Sequence, residues 1–142
     1  MLLAEEDEIA QVILLEPEEE PDIFIITSTG QGKRSDSKEY RRLGSRSVKG
    51  YSVMSRDSLK KHQSVIVGAC TVQNGDSLLA ITKNGQAIRF SSEDVRNTGR
   101  ATSGVRVVSL RESDQVTRLA KILNDDSEET IEDDSNSENV AN

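Results

Sequence analysis

Arginines recur along the chain at a nearly constant spacing. Three pairs are separated by 55 or 54 residues: Arg34 with Arg89, Arg41 with Arg96, and Arg46 with Arg100. A guanidinium group presents a planar set of donors that matches phosphate and carboxylate oxygens. A row of such groups would hold the phosphate backbone of a nucleic acid by charge, without reading its bases.

The arginine spacing belongs to a longer internal repeat. Residues 26–34 (ITSTGQGKR) align with residues 81–89 (ITKNGQAIR), and after one extra residue in the first copy Gly50 aligns with Gly104. A repeat of this length is typical of propellers and solenoids, in which each copy is one supersecondary unit. Matched arginines are therefore expected at equivalent places on neighbouring units, where they would form a band.

Charge is segregated along the chain. Residues 1–22 carry nine acids and no base, the last nineteen residues carry eight acids and no base, and all eighteen Lys and Arg lie between. Residues 23–123 thus have a net charge of +10, although the whole chain has −7. A basic body with acidic ends favours a polyanion as partner, with the ends competing for the same surface. The alternative is that the charged runs are only solvated surface.

The composition predicts a soluble chain. The opening Met-Leu-Leu-Ala meets Glu5 at once, so a signal peptide is not expected, and no apolar stretch is long enough to span a membrane. Cys70 is the single cysteine, which excludes an intrachain disulfide and agrees with a reducing cytosol.

Alternating and β-branched runs predict an all-β fold. Thr29-Gly30 and Asn84-Gly85 stand between apolar runs, where a tight hairpin requires positive φ. The expected strands are 10–15, 22–28, 31–35 and 49–55 in the first copy, and 64–72, 77–82, 86–90, 104–110 and 115–122 in the second. The expected organisation is an acidic segment (1–9), a blade (10–57), a linker (58–63), a second blade (64–122) and a disordered acidic tail (123–142).

No catalytic set is visible in the sequence. His62 is the single histidine and falls in the predicted linker, where we expect it to be exposed. Cys70 aligns with Leu15, which favours a packed core thiol. The stretch from Gly30 to Lys33 lacks the spacing of a phosphate-binding loop, and turns explain its glycines. Tyr40 aligns with a valine of the second copy, as does Tyr51, so packing is the better interpretation of both tyrosines.

One motif joins these observations. Each copy contains Ile-Thr-x-x-Gly-x-x-x-Arg, then an acid (Glu39 or Asp94), then Arg-x-x-x-Gly (46–50 or 100–104) before a β-branched strand. This pattern resembles the blade signature of the C-terminal domain in the A subunit of bacterial DNA gyrase, and it is similar to that in the A subunit of topoisomerase IV. Residues 97–106 (NTGRATSGVR) are especially similar to the final blade of that family. The resemblance covers about residues 10–122.

The resemblance implies a β-pinwheel, here with two four-stranded blades that exchange strands and a rim that bends double-stranded DNA. Such wrapping would support ATP-dependent supercoiling by a full type IIA topoisomerase. The chain itself would carry no catalytic residue, metal or cofactor, since ATP and Mg belong to other parts of that enzyme. The implied partners are double-stranded DNA, gyrase B and the rest of the gyrase A subunit, in the bacterial cytoplasm near the nucleoid and away from any membrane.

The bases of the two polar loops and their borders are the candidate DNA contacts. They are Lys33, Arg34, Arg41, Arg42, Arg46, Lys49, Arg89, Arg96, Arg100 and Arg106.

The chain also departs from the family pattern. The basic box Gln-Arg-Arg-Gly-Gly-Lys-Gly is absent, two blades replace five or six, and the breakage-reunion domain is missing. Two blades leave open edges, so we expect self-association, a supporting partner or marginal stability. The alternatives are a protein-interaction module and a non-functional remnant without a DNA-binding role.

Overall fold

The computed structural model describes residues 4–16, 18–40, 44 and 50–123. Within them one α-helix, α1 (Arg56–Lys61), accompanies short 3-10 helices at Ser37–Glu39 and Ser92–Asp94. The remaining regular structure is β-strand, which confirms the all-β prediction. The strands are β1 (Asp22–Thr27), β2 (Gln31–Asp36), β3 (Ile66–Val72), β4 (Ser77–Thr82), β5 (Ala87–Ser91), β6 (Val105–Arg106) and β7 (Val116–Ile122).

Each copy of the repeat supplies a hairpin to one antiparallel sheet. In the first sheet the strand order is β3-β1-β2-β6, and in the second it is β5-β4-β7. The registers are equivalent, because Phe24 lies opposite Arg34 in the first hairpin just as Leu79 lies opposite Arg89 in the second. The sequence repeat is therefore a repeat of structure.

The two hairpin turns use the same chemistry. Gly30 and Gly85 adopt φ of 80° and 83°, a conformation that other residues rarely adopt. Thr27 Oγ1 and Thr82 Oγ1 accept the main-chain N–H four residues further on, at 3.2 and 3.1 Å. The glycine and the threonine of each copy thus fix the turn and the register of the strands that follow.

Two strands of the predicted second blade, β3 and β6, belong to the first sheet, and β6 forms one of its edges. Gly32 pairs with Val105 and Gln31 with Arg106, and Arg34 O accepts a hydrogen bond from Thr98 N at 2.8 Å. The second sheet has three strands within the described residues, so the prediction of two four-stranded blades is corrected. The polar loop of the second copy leads its chain back to β2 instead of to β5, and the sheets do not follow the boundaries 10–57 and 64–122.

Several predicted elements differ from the structure. Residues 10–15 form no strand, and Val12 and Leu14 are 77% and 85% exposed. No strand occurs in 50–55, the described part of the segment predicted at 49–55, and the strand predicted at 104–110 shortens to β6. The linker predicted at 58–63 is largely α1, which Ser55 caps through its side chain. The predicted tail lies outside the described residues from 124 onward.

The core lies between the two sheets. Phe24 and Ile26 of the first sheet are fully buried, as are Leu78 and Ala80 of the second. The ring of Phe24 lies 5.5 Å from that of Phe90, centroid to centroid. Packing between sheets therefore supplies the apolar burial that a single three- or four-stranded sheet lacks.

The two sheets approach closely at Gly68. A Cβ atom at this position would lie 2.8 Å from the Cβ of Leu119 on β7. Cys70, two residues further along β3, packs against the core, and its burial raises the pKa of the thiol to about 11. The prediction of a packed core thiol is confirmed.

Candidate nucleic-acid interface

Arg34 is a structural residue rather than a surface one. Its side chain is 10% exposed and forms a salt bridge of 2.5 Å between Nε and Asp22 Oδ2. The same guanidinium donates to the side chain of Asn74, which follows β3, and to Ser92 O, which follows β5. Arg34 thus joins the two copies across their interface, and the expectation that it faces an outer rim is wrong.

Lys33 is also buried, with 1% of its surface exposed. Its ammonium donates to Gly99 O at 2.6 Å and to Arg100 O. Burial and the nearby charge of Arg100 lower the pKa of Lys33 to about 8. The side chain ties the polar loop of the second copy to the first sheet, so the expectation of a DNA-facing Lys33 is corrected as well.

Four of the candidate bases belong to the first polar loop and its border. Arg41, Arg42, Arg46 and Lys49 lie outside the described residues. Their predicted contact with DNA stays a prediction from the sequence.

Three other candidates lie together on residues 96–106, which cross from the second sheet to the edge of the first. Arg96 and Arg106 are exposed, and Arg100 is half-buried. The guanidinium of Arg100 lies 4.7 Å from the ring centroid of Tyr51 and donates to Ser52 O. The structure therefore gathers Arg96, Arg100 and Arg106 on one segment.

Arg89 lies apart from that segment. It is exposed on the face of the second sheet that points away from the first sheet, and it donates from Nε and Nη2 to Ser77 Oγ at 3.2 and 2.8 Å. Arg118 belongs to the same face, because it lies opposite Ile81 on β7. The one matched pair within the described residues therefore does not contribute to a common band, because Arg34 is buried where Arg89 is exposed.

Sequence reasoning missed one group of cations. Arg56, Lys60 and Lys61 are exposed on α1, in a region predicted to be a polar linker. The sequence contains a signal for this helix, since Ser55 is a favoured N-cap residue and the lysines fall in the last turn of the helix.

The described residues were also searched for a metal site and for a membrane-spanning helix. His62 is exposed, as predicted, and the described residues contain no group of three His, Cys, Asp or Glu side chains arranged to hold a metal ion. Among these residues, no helix has the length and apolar character needed to cross a membrane.

Comparison with known protein families assigns the chain to a family. The sequence model described as the DNA gyrase C-terminal domain, β-propeller, matches residues 21–67 and 76–122. The chain belongs to this gyrase C-terminal domain family. The two matched segments correspond to the two copies, so the resemblance seen in the repeat is confirmed.

Individual relatives agree with the family assignment. The A subunit of DNA gyrase from Kosmotoga olearia is 37% identical over 123 residues, which are 87% of this chain and 15% of that protein. The A subunit of DNA gyrase from Chlamydia trachomatis is 36% identical over 80% of this chain and 13% of its own length. The chain thus spans about 15% of the curated relatives it matches.

Solved structures give the same fold. The structure of a DNA gyrase A C-terminal domain superposes with a TM-score of 0.66 at 28% identity, covering 75% of this chain and 35% of that one. The C-terminal domain of DNA topoisomerase IV superposes with a TM-score of 0.65 at 22% identity, covering 78% of this chain and 32% of that one. The second likeness concerns the fold alone, and both confirm the β-pinwheel class.

Proposed function

We propose that this gyrase C-terminal domain chain binds duplex DNA through the phosphate backbone and bends it, in support of ATP-dependent supercoiling by a full type IIA topoisomerase. The observation that carries the proposal is the position of Arg96 and Arg106, two exposed cations on the segment that runs along β2. Such cations bind phosphates by displacing counterions and need no base contacts.

The composition supports a duplex over a single strand. Aromatic residues make up 3% of the chain, and proteins that hold unpaired bases rely on aromatic stacking. The proposed protein partners are gyrase B and the remainder of a gyrase A subunit. Self-association through the outer edge of β5 is a further proposal, since no strand pairs with that edge among the described residues.

The experiment compares two duplexes of equal length and unrelated sequence, each carrying a donor and an acceptor fluorophore at its ends. We expect equal affinities for both duplexes, a shorter end-to-end distance on binding, and weaker binding of the matching single strands. Strong preference for one sequence, or binding without bending, would contradict the proposal.

The acidic ends give a second expectation. Residues 124–142 carry eight acids and no base, and a tethered polyanion competes with DNA at high effective concentration. Deleting them should tighten duplex binding, most strongly at low salt. Unchanged affinity over a range of salt concentrations would refute this competition.

A further inference from the structure

Helix α1 lies against the edge of the first sheet where the 96–106 segment arrives. Ser55, its N-cap, donates from its main-chain N–H to Thr102 O at 3.1 Å, within that segment. Ser58 Oγ, inside the helix, is 3.5 Å from Gln31 Oε1 on β2. The helix is therefore attached both to the sheet and to the segment that carries the exposed arginines.

Arg106 emerges on the same side of the sheet as α1. It lies directly opposite Gln31 in the β2–β6 pair, and opposite residues of an antiparallel pair place their side chains on one face. Since Gln31 contacts Ser58, the side chain of Arg106 leaves the sheet on the face that α1 covers. The exposed cations of α1 and Arg106 thus belong to one surface.

The outer side of α1 is basic. Ser58 and Leu59 are half-buried, whereas Arg56, Lys60 and Lys61 are exposed and no salt bridge joins any of the three to an acid in the described part of the chain. Asp57 is the one acid of the helix, which leaves it a net charge of +2. Lys60 and Lys61 lie in the last turn, where positive charge interacts favourably with the helix dipole and stabilises α1.

The helix has no counterpart in the second copy. The second copy joins β6 to β7 through residues 107–115, in which no helix occurs and two acids, Glu112 and Asp114, accompany Arg111. A basic helix in one copy alone is not required by the repeat. It therefore marks a surface particular to the first sheet.

We propose that Arg56, Lys60 and Lys61 of α1 extend the DNA-binding surface of Arg106, so that the duplex backbone crosses the first sheet at the helix. This inference rests on the proposed function and assigns a contact to a region outside the repeat motif. The ligand chemistry is a row of phosphate diesters, bound by charge. No base is read.

The test is a salt titration of duplex binding with the full chain. Changing Arg56, Lys60 and Lys61 together to Gln should reduce the slope of log affinity against log salt concentration by about 2 to 3, and lower affinity about tenfold at moderate salt. The matched control changes Lys83, Arg111 and Arg118, exposed cations of the second copy, to Gln and removes the same charge. It should change the slope by less than half as much.

Two further variants separate the possible failures. Lys60→Arg with Lys61→Arg keeps the charge and should keep the slope. Equal losses in the α1 variant and the control would overturn the inference, and so would an unchanged slope in the α1 variant while Arg96→Ala with Arg106→Ala still flattens it. The latter result would leave the proposed function intact, whereas absence of duplex binding by the parent chain would overturn both.

Discussion

The two sheets are built from one repeated sequence, yet equivalent residues have different surroundings. Phe24 and Ile26 of the first sheet are fully buried by the second sheet, whereas Leu79 and Ile81, their counterparts, are half-buried on an open face. Repeat position therefore fixes where a side chain points, and the neighbouring sheet determines whether it is covered.

Charged residues follow the same rule. Arg34 joins Asp22 and two groups of the second copy, whereas its counterpart Arg89 reaches only Ser77 Oγ within its own sheet among the described residues. The arginine at this repeat position is thus an interface residue in the first copy and a surface cation in the second.

The open face of the second sheet is not a copy of the first. Gly68 lies opposite Ile26 and leaves room for Leu119, but the equivalent position opposite Ile81 is Arg118. A further sheet stacked in the same way would meet the Cβ of Arg118 at the position where Gly68 leaves room for Leu119. Self-association, if it uses this end of the molecule, is therefore expected through the β5 edge rather than the face.

Substitution of the matched arginines Arg34 and Arg89 should give the largest difference in the free energy of unfolding. Arg34→Ala should lower the free energy of unfolding by about 4 kcal/mol, because it removes the charged partner of Asp22 and the donor to Asn74 and Ser92 O. Arg89→Ala should change it by less than about 0.5 kcal/mol, as exposed substitutions do. Urea denaturation of both variants makes the comparison, and equal losses would show that the two positions are equivalent after all.

A second prediction concerns pH and Lys33, whose counterpart is Ile88. The folded chain releases the Lys33 proton near pH 8, whereas the unfolded chain keeps it up to its ordinary pKa of 10.5. The unfolded state binds more protons between these values, so this group makes folding more favourable as pH rises, by about 3 kcal/mol in total.

Lys33→Met removes that titration while keeping an unbranched side chain. The free energy of unfolding of the native chain, minus that of the variant, should therefore increase between pH 8 and pH 10.5. Urea denaturation of both proteins at pH 8 and at pH 10.5 measures this difference in the free energy of unfolding. A difference independent of pH would mean that the ammonium is not desolvated in the folded chain.

The smallest of the three effects is steric. Gly68→Ala should destabilise the fold by about 2 kcal/mol, since the new methyl group overlaps Leu119, and Arg118→Ala should be nearly neutral. Combining Gly68→Ala with Leu119→Gly should cost less than the sum of the two single losses, because glycine lacks the Cβ that the new methyl group overlaps. Additive losses in the double variant would contradict close packing at this point.

The sequence predicts local structure well here. Period-two patterns and the turn residues around Gly30 and Gly85 locate both hairpins within about two residues, because these signals act between neighbours in the chain. The exchange of β6 depends on pairing between residues that are far apart in the chain, such as Gly32 and Val105, for which the local pattern carries no signal.

Contacts between residues far apart in the chain also explain why the burial of the candidate site residues could not be predicted. Nothing in the local sequence distinguishes Arg34 from Arg89, because burial of Arg34 depends on Asn74 and Ser92 of the other copy. Arg96 and Arg106 are candidates because they lie in a polar loop and at its border, and both are exposed, whereas the α1 cations fall outside the two polar loops.

The salt dependence of duplex binding tests the central claim most directly. The slope of log affinity against log salt concentration should be steep for the native chain and less steep by about 2 in the variant Arg96→Ala with Arg106→Ala, since each arginine neutralises about one phosphate. Arg89→Ala alone should flatten the slope by about 1 at most. An identical slope for the native chain and the double variant would contradict the assignment of the 96–106 segment as the DNA-binding surface.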